Sequence, residues 1–218
     1  MRPMFGFAAL LLSLLTLTGC GERHAWRQKI ILEVETPQGL VSGGSVVEIS
    51  VSHFGGLERA MSSNEMSSSR RGEASFVEIA PGRYMFALTL EQGAGHAEKL
   101  FRLSREEESS AVSARLEAAR ETRTLSPDLY PRLVTFSDVN DPKSVKLVDP
   151  ANLAAAFGPG FALKSVKLEL TDEKVKEGVI ERILVWLGPY PEPGLCEPVK
   201  NVPLPDCRKV HQGDFIRR

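Results

Sequence analysis

The stretch KIILEVETPQGLVSGGSVVEISVS, residues 29–52, decides the fold class, because its apolar residues alternate with polar ones on both sides of a turn. The residues of the two apolar runs are Ile30, Leu32 and Val34 before the turn and Val47, Ile49 and Val51 after it. In the turn, Pro37 presets φ and Gly39 supplies a positive φ. Alternation on either side of such a turn predicts an antiparallel β-hairpin.

A second hairpin is predicted at residues 73–91, where GEASFVEIAPGRYMFALTLE alternates around the turn Pro81-Gly82. The intervening residues 54–72 are rich in serine and glycine and lack an apolar pattern, which predicts a mobile loop. Residues 29–91 resemble the small transthyretin-like or immunoglobulin-like sandwiches of secreted proteins. The resemblance implies a fold and no functional residues, and too few strands are predicted between the hairpins for a complete sandwich.

The middle of the chain changes to a helical pattern. Ser104 and Glu107 have the S-x-x-E spacing of a capping box, and apolar residues then recur at helical spacing. This pattern predicts a helix over residues 105–120. A further helical turn or two is predicted over residues 149–157, where proline stands at the first helical position. VIERILVWLG, residues 179–188, fits a helix or a strand, and the helix is favoured.

Strand signals return in the second half. Residues 133–136 predict a short strand. ALKSVKLELTDE alternates with a slip in phase between Leu163 and Val166, which predicts either a β-bulge or a later start of the strand. The whole pattern predicts an α+β fold with an antiparallel, β-rich N-terminal half. We expect a β-rich subdomain at residues 28–91 and an α+β subdomain at 92–218, packed together as one globular unit.

The first twenty residues have the features of an export signal. Arg2 precedes the apolar run FGFAALLLSLLTL, which as a helix is only about 20 Å long, too short for a bilayer core of about 30 Å. The run ends in LTGC at Cys20, which resembles the lipobox of bacterial lipoproteins. The resemblance implies a signal peptide at residues 1–19, cleavage before Cys20 and three acyl chains on that cysteine. Residues 20–27 are then expected to be a polar tether.

The same resemblance implies a location. Gly21, not aspartate, follows Cys20, which favours the periplasmic face of the outer membrane over the inner membrane. Removal of residues 1–19 takes Arg2 away and changes the net charge from −1 to −2. A charge this close to zero argues against a nucleic-acid partner and against a polybasic membrane surface, so attachment is expected through the Cys20 lipid alone.

Two further cysteines, Cys196 and Cys207, are expected to form a disulfide, because exported chains enter an oxidising compartment. The alternative is a metal or redox pair. The spacing is too wide for C-x-x-C, however, and the loop between the cysteines contains no histidine. The sequence therefore favours a disulfide-closed C-terminal loop.

The C-terminal half also carries VTFSDVNDPKSV, residues 134–145, and FGPG, residues 157–160. In these segments the chain resembles an uncharacterised proteobacterial lipoprotein family, which implies no activity. Asp138, Asn140 and Asp149 fit three positions of a calcium loop. Pro142 and Lys143 replace a ligand and the essential glycine, so an Asx-turn at Asp141 is the better interpretation.

No catalytic or cofactor motif is present: the chain lacks G-x-S-x-G, a phosphate loop and H-E-x-x-H, and its four histidines are scattered. We therefore expect no enzyme, cofactor or metal, but a non-catalytic accessory or scaffold lipoprotein. It would dock an envelope protein through a sheet edge or the segment LYPRLVTF, residues 129–136. One alternative binds a small ligand or glycan with aromatic residues, Trp26, Tyr84, Tyr130 and Trp186. A second alternative is a cell-envelope hydrolase with serine, histidine and aspartate from separate elements.

Overall fold

The computed structural model describes residues 21–56, 61–62, 66–89, 93–187, 195–196 and 205–217. The strands within these residues are β1 (Glu22–Thr36), β2 (Gly39–His53), β3 (Met66–Glu73), β4 (Ser75–Ala80), β5 (Arg83–Ala87), β6 (Thr122–Thr124), β7 (Leu133–Phe136), β8 (Val145–Val148), β9 (Ala162–Leu170) and β10 (Ile216–Arg217). The helices are α1 (Ala94–Phe101), α2 (Ser109–Ala118), α3 (Leu153–Phe157) and α4 (Asp206–Lys209).

The strands form two antiparallel sheets, which confirms the α+β prediction. The six-stranded sheet has the order β10-β3-β2-β1-β9-β6, and the four-stranded sheet has the order β4-β5-β7-β8. Each sheet takes strands from both sides of residue 91. The boundary expected between residues 28–91 and 92–218 therefore runs through both sheets.

The first hairpin is confirmed, and it is longer than the alternating pattern. Its pairing continues from the turn to Glu22, which lies opposite His53. The expectation that residues 22–27 form a polar tether is therefore wrong. Those residues are the start of β1, because their backbone pairs with residues 48–53 of β2 even though their side chains are mostly polar.

The serine-rich segment is partly a strand, and the prediction of a mobile loop is wrong for residues 66–72. β3 pairs with β2 from Met66 to Gly72. This pairing supplies the backbone hydrogen bonds of the strand, although its residues lack an alternating apolar pattern. Gly72, at φ 138°, lies against the backbone of Val47, and the chain then passes through Ala74 into β4 of the other sheet. The second hairpin, β4 and β5, is confirmed with its turn at Gly82.

The predicted helix at residues 105–120 is shorter and is capped differently. α2 begins at Ser109 with Glu108 at the N-cap position and no side-chain capping bond, so the predicted capping box is wrong. The Glu107 carboxylate instead accepts the N–H of Leu103 at 2.8 Å and pairs with the guanidinium of Arg115. This ion pair holds the connection between α1 and α2 in place.

We expect the Glu107–Arg115 pair to make stability depend on acidic pH. Hydrogen bonds from Arg115 and from the Leu103 backbone lower the pKa of Glu107 from 4.5 to about 2. The pair therefore stabilises the fold fully above pH 4.5 and loses this effect as the pH falls through about 2. At neutral pH the wild type should melt at a higher temperature than Glu107→Gln. The difference in melting temperature should disappear as the pH falls to about 2. Substitution of the exposed neighbour Glu106 by glutamine should produce no such gap.

The main core lies on one face of the six-stranded sheet. The fully buried side chains Leu32 and Val34 of β1 belong to the same cluster as Val77 of β4 and Met85 of β5. α2 covers the start of β1, and α1 packs against α2 and β2. The two helices add a set of apolar residues to this cluster, namely Ala94, Ala97, Phe101, Val112 and Leu116. One face of the first hairpin is thus shared between the second sheet and the two helices.

A second core covers the opposite face of the four-stranded sheet. Phe86, which is fully buried, contacts the rings of Phe136 and Phe215 at centroid distances of 5.8 Å. Ile180 and Leu184 pack in the same cluster, in a single 3-10 turn and its continuation. The favoured helix at residues 179–188 is therefore only a turn over the described part, residues 179–187.

Three smaller predictions are confirmed. The register between β1 and β9 shifts between Glu33 and Val34, which lie opposite Ser165 and Leu163, so the bulge falls at Lys164. β7 occupies the predicted short strand at residues 133–136. The oxygen Oδ1 of Asp141 accepts the N–H of Lys143 at 2.9 Å, as an Asx-turn requires.

Cys196 and Cys207 form a disulfide with a Cα–Cα distance of 5.6 Å, which confirms that prediction. We expect the double variant Cys196→Ser/Cys207→Ser to lose about 3 kcal/mol of unfolding free energy or less, because the closed loop is short and contains prolines that already restrict the unfolded chain. Urea unfolding followed by tryptophan fluorescence measures the change. Equal midpoints for wild type, reduced wild type and the double variant would contradict this expectation.

Candidate functional site

A polar network lies where α2 packs against the start of β1 and the end of β2. Nδ1 of His24 is 2.9 Å from Oε2 of Glu117, and Nε2 of His53 is 3.0 Å from Oγ of Ser113. The two imidazole rings meet edge to face at a centroid distance of 6.0 Å. The network therefore joins the first hairpin to the helix that covers it.

Strand and helix periodicity bring these four side chains together. His24 is paired with Val51, so His53 is its diagonal neighbour on the same face of the sheet. Ser113 and Glu117 are one helical turn apart and lie on one side of α2. Each of them can therefore reach one imidazole while Leu116, which is fully buried, enters the core.

A buried carboxyl group adjoins the network. Glu98 of α1 is 6% exposed, and burial raises its pKa although the Arg102 charge and a hydrogen bond from Ser113 act in the opposite direction. Burial and the neighbouring His24 lower the pKa of His53. A hydrogen bond from His24 lowers the pKa of Glu117. The arrangement favours a neutral His53 beside a charged Glu117.

The contact between Ser113 and His53 is not arranged for nucleophilic catalysis. In a catalytic triad the carboxylate binds the far nitrogen of the imidazole and the serine faces the substrate. Here the Glu98 carboxylate contacts the Ser113 hydroxyl itself, and Ser113 is fully buried on the inner side of α2. The Ser113 hydroxyl is thus engaged inside the fold, where it links α2 to β2 and to α1.

We expect His53 to make the fold sensitive to mildly acidic pH. Its pKa is lowered below 6.5 in the folded chain, so the unfolded chain takes up the proton first. Stability should therefore be constant above pH 6.5 and fall as the pH drops below it. Chemical unfolding of wild type and His53→Gln across this range measures the effect. His211→Gln is the control and should show the same dependence of stability on pH as the wild type. If His53→Gln also shows that dependence, the assignment to His53 is wrong.

A small polar cleft of about 260 Å³ opens beside this network. Its lining residues are Ala25, Trp26, Arg27, Glu48, Glu117, Arg120, Thr171 and Asp172. The charges are already paired, since Nε of Arg27 is 3.2 Å from Glu48 and Nη2 of Arg120 is 2.7 Å from Asp172. The cleft is smaller than the roughly 300 Å³ at which ligand pockets usually begin, and a ligand would have to compete with these ion pairs.

A second cleft, of about 190 Å³, lies beside Lys29, Lys174 and Lys176. Lys29 is paired with Glu173 at 3.0 Å. The carboxylate of Glu73, also in its lining, accepts backbone N–H groups of residues 178–180. This cleft is therefore a junction between the sheet and the C-terminal segment.

The four aromatic residues proposed for stacking are not brought together. Trp26 and Tyr130 belong to the main core, whereas Tyr84 and Trp186 belong to the second core. The indole N–H of Trp26 donates to Gln28 at 2.8 Å, and that of Trp186 donates to the carbonyl of Val139 at 2.8 Å. Both indole N–H groups are thus hydrogen-bonded within the protein. The four residues do not form a common surface on which a ligand could stack.

A further arginine, on β3, is paired with two acids. Arg71 on β3 lies 3.6 Å from Glu48 and 3.6 Å from Glu177. The described residues contain no group of three or more histidine, cysteine or acidic side chains suited to a metal ion. Over the same ranges, no helix is long and apolar enough to cross a bilayer. Cys20 and the signal segment lie outside the described residues.

Comparison with protein-family models, with curated proteins and with solved structures finds no match for this chain. The histidine network was missed at the level of sequence, although one signal for part of it exists. Once the turn at Pro37-Gln38 sets the hairpin register, His24 and His53 become diagonal neighbours. The helical partners Ser113 and Glu117 have no comparable signal, because their position depends on how α2 packs.

Proposed function

We propose that the protein is a lipid-anchored cell-envelope protein with a non-catalytic accessory or scaffold role. The observation that carries the proposal is the LTGC sequence at Cys20 behind an apolar run of export length. The Cys196–Cys207 disulfide supports it, because such bonds persist in oxidising compartments. The periplasmic face of the outer membrane is the proposed location.

The packing of the described residues supports a scaffold more than an enzyme. The contact between the Ser113 hydroxyl and the His53 imidazole is closed to substrate, and Arg27 and Arg120 in the first cleft are already paired with acids. The catalytic alternative would need a nucleophile that faces solvent next to a base. The described part of the site does not offer that arrangement.

The packing of the described residues supports a sheet edge as the docking surface more than the segment at residues 129–136. β7, which forms half of the segment at residues 129–136, lies between β5 and β8 with all four residues buried, so it does not offer a docking surface. The sheet edges are the other candidates, and β3 lies at one of them. On the outer side of β3, the described strand pairing is that of β10 with Gly72 and Glu73. We place the docking edge at β3.

Site-specific photo-crosslinking in intact cells tests this proposal. A photoreactive residue at exposed Ser68 in β3 should capture one reproducible envelope protein. The same residue at exposed Lys146 in β8 should not, because Asp206 of α4 caps that edge with a 2.9 Å bond to the N–H of Leu147. Capture should also fail in the Cys20→Ser background. Equal capture from both edges, or none from Ser68, would contradict a docking role.

The ligand-binding alternative rests on the cleft beside Glu117. If this were a binding site, an envelope metabolite should raise the melting temperature of the wild type and not of Arg120→Ala, which removes one wall of the cleft. Absence of any stabilisation would remove this alternative.

A further inference from the structure

We infer that the protein stands on the membrane with the end of the sheet that carries Glu22 and His53, and that the opposite end of the hairpin points away from the bilayer. This inference rests on the proposed lipid anchor at Cys20. It adds the orientation of the domain and the surface that contacts the lipid headgroups.

The first step is the absence of a spacer between the anchor and the fold. Cys20 immediately precedes Gly21, so their Cα atoms are about 3.8 Å apart. β1 begins at Glu22, and its first residue is already paired with His53. A flexible tether would allow the domain to tumble, whereas one residue brings the first strand to the level of the headgroups.

The second step is the packing of Gly21. A Cβ atom at this position would lie 2.4 Å from the carbonyl oxygen of His53, so the backbone of Gly21 lies directly on the end of β2. The same Cβ would lie 3.6 Å from the backbone nitrogen of Gly55. Gly21 therefore lies at the end of the sheet and in contact with the segment that follows β2.

The third step is the exposed surface at this end. Residues 54–65 connect the end of β2 to the start of β3, so this connection begins and ends beside Glu22 and His53. It carries Met61, whose exposed fraction of 80% exceeds that of any other exposed large hydrophobic residue in the described ranges. An unbranched apolar side chain fits the boundary between headgroups and acyl chains.

The far end of the hairpin supplies the contrast. β1 has 15 residues, which at about 3.3 Å per residue place the turn about 45 Å from Glu22. Leu40 lies next to this turn and is 52% exposed. The orientation therefore puts Met61 at the bilayer and Leu40 far from it, although both are exposed apolar residues.

Depth-dependent fluorescence quenching tests the orientation. The acylated full-length protein is labelled with an environment-sensitive dye at Met61→Cys or Leu40→Cys and placed in vesicles of phosphatidylethanolamine and phosphatidylglycerol with a headgroup-attached quencher. The other cysteines do not react, because Cys20 is acylated and Cys196 is bonded to Cys207. We expect the dye at position 61 to lose most of its emission and to shift to shorter wavelength. The dye at position 40 should keep its emission.

Each other outcome contradicts a definite part of the inference. Equal quenching at both positions, or none at either while the protein sediments with the vesicles, would overturn the orientation and leave the anchor intact. Failure of the acyl-competent wild type to sediment, or absence of acylation on Cys20, would overturn the anchor and with it the orientation. Circular dichroism of both labelled variants checks that the fold is retained.

Discussion

The Cys20→Ser variant is expected to leave the membrane fraction and to appear in the soluble periplasmic fraction, whereas the wild type sediments with the envelope. The physical reason is the number of acyl chains that the lipobox resemblance implies. Each buried CH₂ contributes about 0.8 kcal/mol, and more than one chain is needed for stable attachment. A serine hydroxyl cannot form the thioether. Cell fractionation with an alkaline wash, followed by immunoblotting, measures the change.

The chain contains its own control for this experiment. Cys196→Ser/Cys207→Ser also removes cysteines, but it removes the disulfide and not the proposed acylation site. This double variant should stay in the membrane fraction. If Cys20→Ser also stays there, or if the wild type is soluble, the lipoprotein proposal fails whatever the fold.

The hairpins could be predicted because their signals are local. Pro37 with Gly39, and Pro81 with Gly82, encode turns within a few residues, and the flanking alternation sets which side chains face the core. The bulge at Lys164 was visible for the same reason, since an extra residue shifts the phase of the apolar positions. Turn residues and apolar alternation involve residues that are close together in the sequence, so the sequence alone reveals them.

β3 and the start of β1 could not be predicted, because these segments are strands only through their pairing with β2. Residues 67–71 are polar and mostly exposed, yet they pair with β2, which already belongs to a hairpin. Residues 22–27 pair for the same reason. The capping box failed because Arg115 competes for the Glu107 carboxylate, and Arg115 comes close only when α2 has folded. Such contacts follow from tertiary packing.

In the candidate site, too, one part follows from local sequence signals and another from tertiary packing. Hairpin register alone places His24 beside His53, but the match of Ser113 and Glu117 to those imidazoles requires the position of α2. The proposed anchor is the converse case, because its signal is in the sequence and Cys20 lies outside the described residues. The orientation that we infer from it depends on the structure, in which β1 begins at Glu22.

The Glu73→Ala variant is expected to lose about 4.5 kcal/mol of unfolding free energy or more, because hydrogen bonds to a charged group contribute about 1.5–3 kcal/mol each and Glu73 accepts three of them. Glu73 is 2% exposed at the end of β3. Its carboxylate accepts the N–H groups of Gly178, Val179 (3.1 Å) and Ile180 (2.9 Å). Truncation would leave these donors without an acceptor and would release the turn that carries Ile180 into the second core.

Two measurements separate this effect from a general loss of stability. Urea unfolding gives the free energy, with Glu35→Ala as the control, since Glu35 is an exposed acid on β1 and should change stability by about 0.5 kcal/mol or less. Amide hydrogen exchange should show the N–H of Ile180 protected in wild type and exchanging rapidly in Glu73→Ala, while amides of β1 stay protected. Retained protection at Ile180 would mean that packing of Ile180 and Leu184, not the carboxylate, holds the C-terminal segment on the sheet.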